Sequence, residues 1–214
     1  MKDEIIVIQE IIDTSKTTEE AAQLLLGKLL VHETPVGRIS GWIVETEAYL
    51  GAEDAAAHTY RGRKTPKVLS MYEQAGTIYI YQMHTHHLLN VVTQEEGTPH
   101  AVLIRAVEPY EGKDLMELYR QKQGVDLTNG PGKLTKAFNI TMDQNGEDVF
   151  NKPLYLDPEL KRDPVRVEAT PRIGIPNKGE WTEAALRYTV SGNPYVSRKR
   201  GKVTMDNGWR TMVK

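Results

Sequence analysis

Residues 38–50 read as one long strand, and that strand constrains the fold more than any other feature of the chain. Ile43, Glu45, Glu47 and Tyr49 fall on one face, and Trp42, Val44, Thr46 and Ala48 on the other, because successive side chains of a strand point to opposite sides. Three more strands are expected downstream, at 77–83, 88–93 and 101–107, the last two divided by the Glu95-Glu96-Gly97-Thr98-Pro99 turn. Short turns between strands favour an antiparallel or mixed sheet over a doubly wound one. Strands at 165–169 and 186–190 follow late in the chain.

Helices are expected around this sheet. Thr17-Thr18-Glu19-Glu20 is a capping-box pattern, and the spacing of Ala21, Leu25 and Leu29 with Ala22, Leu26 and Leu30 predicts a helix running to the Pro35-Val36-Gly37 turn. Leu115, Met116, Leu118 and Tyr119 suggest a second helix opened by Glu111, and residues 133–138 a third. Residues 143–163, crowded with Asp, Asn and Pro, read as an irregular surface excursion. No repeat or linker divides the chain, so one mixed α/β (α+β) domain over residues 1–214 is expected.

The 214 residues contain no cysteine, which excludes disulfides and thiolate metal sites. No apolar run approaches the roughly 20 residues needed to cross a bilayer. Met1-Lys2-Asp3-Glu4 leads into a short apolar stretch and then Glu10 and Asp13, unlike a secretory signal. The expected location is the cytoplasm, with association to the nucleoid in a bacterium. The net charge of −2 gives no global attraction to nucleic acid. Its distribution is uneven, however: Arg61, Arg63, Lys64 and Lys67 fall within seven residues, and Arg198, Lys199, Arg200 and Lys202 within five. Each cluster is either solvated surface or part of a phosphate track.

Three constellations could carry chemistry. Glu45 and Glu47 are costly on an otherwise apolar strand unless their face opens to water or to a site. They either lie on the wet face of an edge strand or serve a reaction, and periodicity does not say which glutamate would be the chemical one. His84, His86, His87 and His100 crowd one region, with His58 upstream. A zinc hydrolase with His84 and His86 on one strand face, completed by Glu47 or His58, is the sharp alternative, although no His-Glu-x-x-His is present. Gly130-Pro131-Gly132-Lys133 before a helix could cradle a phosphate on free N–H groups. It is no Walker loop, since Leu127 and Leu134 stand where glycine and Ser or Thr belong.

Read together, these segments resemble the alkyladenine (3-methyladenine) DNA glycosylase family. The matching pieces are Val44-Glu45-Thr46-Glu47-Ala48-Tyr49-Leu50-Gly51, Glu53-Asp54-Ala55-Ala56-Ala57-His58 and Arg63-Lys64-Thr65-Pro66. They continue with Gly76-Thr77-Ile78-Tyr79-Ile80-Tyr81, Asn90-Val91 and Val102-Leu103-Ile104-Arg105-Ala106-Val107-Glu108-Pro109. The late pieces are Gly130-Pro131-Gly132-Lys133-Leu134, Arg172-Ile173-Gly174 and Gly192-Asn193-Pro194-Tyr195-Val196-Ser197. They occur in family order from about residue 37 to residue 197.

The resemblance implies a single domain with a curved antiparallel sheet flanked by helices. It implies a base-excision DNA repair enzyme that flips out an alkylated, or also a deaminated, purine and hydrolyses its N-glycosidic bond. No metal or organic cofactor is implied, and the expected partner of this monomer is double-stranded DNA carrying damaged purines. Glu47 is assigned as the base that activates water, with Arg105 and the main-chain carbonyl of Ile173 holding that water. Tyr49, His58 and Tyr81 would line the base pocket, and Asn90 would restrict which purines fit. Arg61, Arg63, Lys64, Lys133, Arg198 and Lys199 are the candidates for DNA backbone contacts. The sequence departs from the family where a tyrosine would fill the gap left by the flipped base. Here Gln82-Met83-His84-Thr85-His86-His87 runs one residue short before Asn90, so the DNA wedge falls to Met83 or His84. The rival outside enzymes is a nucleic-acid-binding module whose basic clusters track phosphate while the glutamates are structural.

Overall fold

The computed structural model describes residues 13–199 and 201–211. Helix α1 (Thr18–Leu24) opens on the expected capping box: the Glu20 N–H donates to Thr17 Oγ1, and the Thr17 N–H to the Glu20 carboxylate. Two donors that a helix start would leave open are thereby satisfied. The helix does not reach Pro35. The chain turns at Gly27, with φ +81°, where a Cβ would lie 1.8 Å from the Arg162 carbonyl oxygen. Residues Lys28–Thr34 then form strand β1. Leu24-Leu25-Leu26 and Leu29-Leu30-Val31 fit a buried strand as well as a helix, and the close approach of Arg162 at Gly27 decides between them.

The other strands are β2 (Gly37–Tyr49), β3 (Ile78–Met83), β4 (His86–Val92), β5 (Ala101–Glu111), β6 (Leu154–Lys161), β7 (Val167–Thr170) and β8 (Arg187–Val190). They form one open sheet in the order β3-β4-β5-β2-β1-β6, with β7 and β8 attached through β2, and every pairing is antiparallel. Strand β2 is central. β5 lies along one side; on the other, β1 pairs with its first half through Trp42, and β8 with Glu45–Glu47. Its register against β5 shifts between Ile43 and Glu45 and again between Glu45 and Thr46, which leaves Arg105 opposite the irregularity. Such bulges bend a strand and re-aim a side chain.

Two sequence expectations are corrected here. The excursion at 143–163 contains β6, in which Leu154 and Leu156 are buried against β1. Pro158 made the segment read as irregular, but β6 is the edge of the sheet, where a missing N–H breaks no ladder. Glu111 does not open a helix; it ends β5, and α2 (Lys113–Arg120) starts after Gly112. Helix α3 (Pro131–Ala137) follows as expected, and a single turn, α4 (Glu180–Glu183), precedes β8.

The main core joins Leu25, Leu29 and Leu30 to Ile43, Val44, Ile104 and Phe138. A smaller cluster of Val68, Met71, Tyr79, Val92 and Ala101 packs separately, with Tyr81 against it. Among the described residues no helix is long and apolar enough to cross a membrane.

Candidate active site

Glu45 and Glu47 are both 0 % exposed, so neither lies on a wet face. Burying two carboxylates is tolerable only with dense hydrogen bonding. Glu45 Oε1 accepts from Arg105 Nε at 2.8 Å, Arg187 Nε at 2.7 Å and Ser197 Oγ at 2.8 Å, while Oε2 accepts from the Ser197 N–H at 2.7 Å. Glu47 has fewer partners. Its Oε1 accepts from the Ile173 N–H at 2.7 Å, and its Oε2 from Tyr49 Oη at 2.9 Å and Arg105 Nη1 at 3.2 Å. Burial raises the pKa of Glu47, opposed by Arg105 and by the Ile173 and Tyr49 hydrogen bonds; the charge of Glu45 raises it further.

Those three donors, Tyr49, Arg105 and Ile173, are wall residues of a cavity of about 340 Å³, a size within the usual range for small-molecule sites. Tyr79 and Tyr81 of β3, Asn90 of β4 and His58 from the loop after β2 add to its polar and aromatic lining. His58 Nδ1 is 3.0 Å from Tyr79 Oη, and its ring lies 4.0 Å from that of Tyr81 between centroids. The His58 pKa is lowered, first by the enclosed part of the ring and then by the Arg63 charge. Asn90 Nδ2 donates to the carbonyls of Tyr79 and Leu88, which turns the amide oxygen away from those carbonyls. Tyr49, His58, Tyr81 and Asn90 are thus brought together on one cavity, with Glu47 one hydrogen bond behind its wall.

The hairpin between β3 and β4 is tight, since Met83 pairs with His86 across His84 and Thr85. Met83 is 45 % exposed and still lines the cavity. His84 takes the left-handed conformation at the tip, with φ +55°. Gly132 of α3 braces this hairpin, because a Cβ there would come within 2.8 Å of His86 Cγ. The Gly130-Pro131-Gly132 motif therefore has a packing reason, and α3 is a short helix.

Arg61, Arg63 and Lys64 are exposed, and so is Arg198, which also lines the cavity; Lys199 is half-buried. Arg200 lies outside the described residues. Lys133 is already engaged by Asp126 at 2.9 Å and Asn129 at 2.7 Å. The histidines disperse: His58 faces the cavity, His86 packs on Gly132, and His100 Nδ1 bonds Thr18 Oγ1. Among the described residues no three His, Asp or Glu side chains gather as a metal-ligand set.

Four residues near the site were missed as functional by sequence reasoning, although all but Arg187 sit inside the matched segments. Arg187 and Ser197 anchor Glu45. Asp54 and Arg172 form a buried pair beside Tyr49. Their partners are more than 100 residues away, and no local spacing reveals such a pairing.

A model of the methylpurine-DNA glycosylase family matches residues 12–194. With the fold and the cavity, this defines the class: a DNA glycosylase, a hydrolase acting on the N-glycosidic bond. Three relatives carry the provisional name 3-methyladenine DNA glycosylase. That of Enterococcus faecalis is 54% identical over 199 residues, spanning 92% of this chain and 87% of that protein. Those of Staphylococcus saprophyticus and Staphylococcus haemolyticus are 52% and 50% identical, covering 86% and 92% of this chain and 91% and 98% of theirs. The chain belongs to the methylpurine-DNA glycosylase family.

Proposed function

We propose that the protein extrudes an alkylated purine from duplex DNA into the Tyr49–His58–Tyr81 cavity and hydrolyses its N-glycosidic bond with a water activated by Glu47. One observation carries this reading. Three donors surround Glu47, each from a residue of the cavity wall, whereas an ionised carboxylate offers about four acceptor sites. By that count one acceptor site, on Oε1, is left, and in this reading it goes to the water.

A stacked base is out of reach, so the nucleotide must leave the duplex. Alkylation at a ring nitrogen makes the base cationic, which suits stacking on electron-rich rings. As the C1′–N bond breaks, its electron pair passes to the base and neutralises it. The water oxygen bonds to C1′ and its proton passes to Glu47, leaving an abasic site. Arg105 and the Ile173 carbonyl would hold the water, and His58 would hydrogen-bond the base. Burial that raises the Glu47 pKa makes it a stronger base while ionised, and such help is typically worth about 10²–10⁴-fold. Deaminated purines are the wider substrate set, limited at Asn90.

The test is chromatography of free bases released from duplexes carrying each lesion. Alkylated purines should be released with EDTA present, and borohydride should trap no protein on the DNA, since water attack forms no Schiff base. Zinc-restorable loss of activity in chelator, or a borohydride-stable adduct, would defeat the mechanism. Binding without any base release would return the chain to a non-catalytic module.

A further inference from the structure

Asp54 and Arg172 are both completely buried at their side chains, in a pair the proposed chemistry does not use. The guanidinium is held as a fork: Nη1 and Nη2 each donate to one Asp54 oxygen. Asp54 also accepts from the N–H groups of Leu50 and Ala56, which fastens the loop after β2. Nη1 donates a second time, to the Ala48 carbonyl at 2.9 Å. The guanidinium carbon, Cζ, lies over the Tyr49 ring, 4.6 Å from its centre.

The orientation has a cost. Arg172 Nε is the one buried side-chain nitrogen or oxygen among the described residues without a hydrogen-bond partner. Buried donors are normally satisfied, and a well-packed apolar group often replaces a buried ion pair without loss of stability. The geometry therefore serves direction as well as stability. It fixes two things at once: the Tyr49 ring, whose hydroxyl donates to Glu47, and the peptide entering Ile173, whose N–H donates to Glu47.

We infer that the Arg172–Asp54 pair is a positioning device for Glu47, holding the Tyr49 hydroxyl and the Ile173 N–H on its two oxygens so that the carboxylate keeps a fixed place behind the cavity wall. This rests on Glu47 being the base. The pair acts through Tyr49 and Ile173 and touches no reacting atom.

A readable consequence follows in the pH profile. The charged and titratable groups around Glu47 are Glu45 and Tyr49 on β2, Arg105 on β5, Arg187 on β8 and Arg172. The Tyr49 and Ile173 hydrogen bonds both lower the Glu47 pKa against burial. Loosening them raises it, so the acidic limb of excision should move to higher pH.

The experiment compares Arg172→Lys, which keeps the charge and loses the fork, and Arg172→Met with the parent and with Glu47→Gln, using the folded protein and a duplex carrying 3-methyladenine. Single-turnover excision should fall about 10–100-fold, the usual effect of a small misplacement. Lesion binding should stay close to that of the parent, and the acidic limb should shift upward in both Arg172 variants. Arg172→Lys covers the case in which Arg172→Met does not fold. Normal rates, or reduced rates with an unmoved acidic limb, in a background where Glu47→Gln is inactive would overturn the inference. An active Glu47→Gln would instead overturn the reading of Glu47 as base, and the inference with it.

Discussion

Glu45 and Glu47 share one guanidinium, since Arg105 reaches Glu45 through Nε at 2.8 Å and Glu47 through Nη1 at 3.2 Å. The two acids are otherwise unequal. Glu45 is also bound by Arg187 and twice by Ser197, so four donors hold it against three on Glu47. Glu47 keeps room for one more donor. The strand thus sets a more densely bound carboxylate and a less densely bound one two residues apart, and Arg105 couples them.

Substitution should separate these roles. Glu47→Gln is expected to retain the fold and lesion binding while losing base release by at least about 10²-fold, the lower bound for a general base. Glu45→Gln instead leaves two buried guanidinium groups short of charge, and breaking such pairs costs about 3–5 kcal/mol. It should lower the midpoint of thermal unfolding markedly, a change that Glu47→Gln should not match. Calorimetry with single-turnover kinetics checks both. Equal excision defects at unchanged stability would mean that Glu45 takes part in the chemistry.

The β3–β4 hairpin should govern extrusion. Met83→Ala or His84→Ala should lower the flipped population, read with a fluorescent base analogue beside the lesion, because filling the vacated stack offsets an unstacking cost of a few kcal/mol per step. The excision defect should be smaller on a mismatched lesion, which is easier to extrude. Gly132→Ala should cause a similar defect by pushing on His86, and His86→Ala should relieve it. Equal flipping in Met83→Ala, His84→Ala and the parent would place the wedge elsewhere.

Salt dependence should sort the basic residues. Reversing Arg61, Arg63 and Lys64, or Arg198 and Lys199, should weaken binding to damaged and undamaged duplex alike, with each lost phosphate contact reducing the slope by about one. Lys133→Ala should change the slope less, because Lys133 is held by Asp126 and Asn129. Titrations at several salt concentrations decide it; unchanged slopes after reversing both clusters would return them to ordinary solvated surface.

Much of the frame was legible in the sequence because it rests on local pattern. Strand β2 differs from the expected 38–50 by one residue at each end, and Glu47 and Tyr49 do share a face through their direct hydrogen bond. The illegible parts depend on distant contacts. The helix was expected to overrun into β1 because the pressure of Arg162 on Gly27 is not a local signal, and β6 was hidden because Pro158 marks an edge only once its neighbours are known. The register shifts that aim Arg105 have no counterpart in alternation. Arg172 and Asp54 stood in matched segments, yet only their pairing gives them a role.

The change of partner along β2 has a consequence for synthesis. Its first half is completed by β1, whose paired residues lie only three to thirteen positions back, whereas Glu45 waits for Arg187 and Ser197, 142 and 152 residues away. Contacts of such separation form slowly, after the loops between them have closed. A chain still emerging from the ribosome can therefore pair β1 with β2 long before the cluster around Glu45 can close, because that cluster waits for the segment from Arg187 to Ser197.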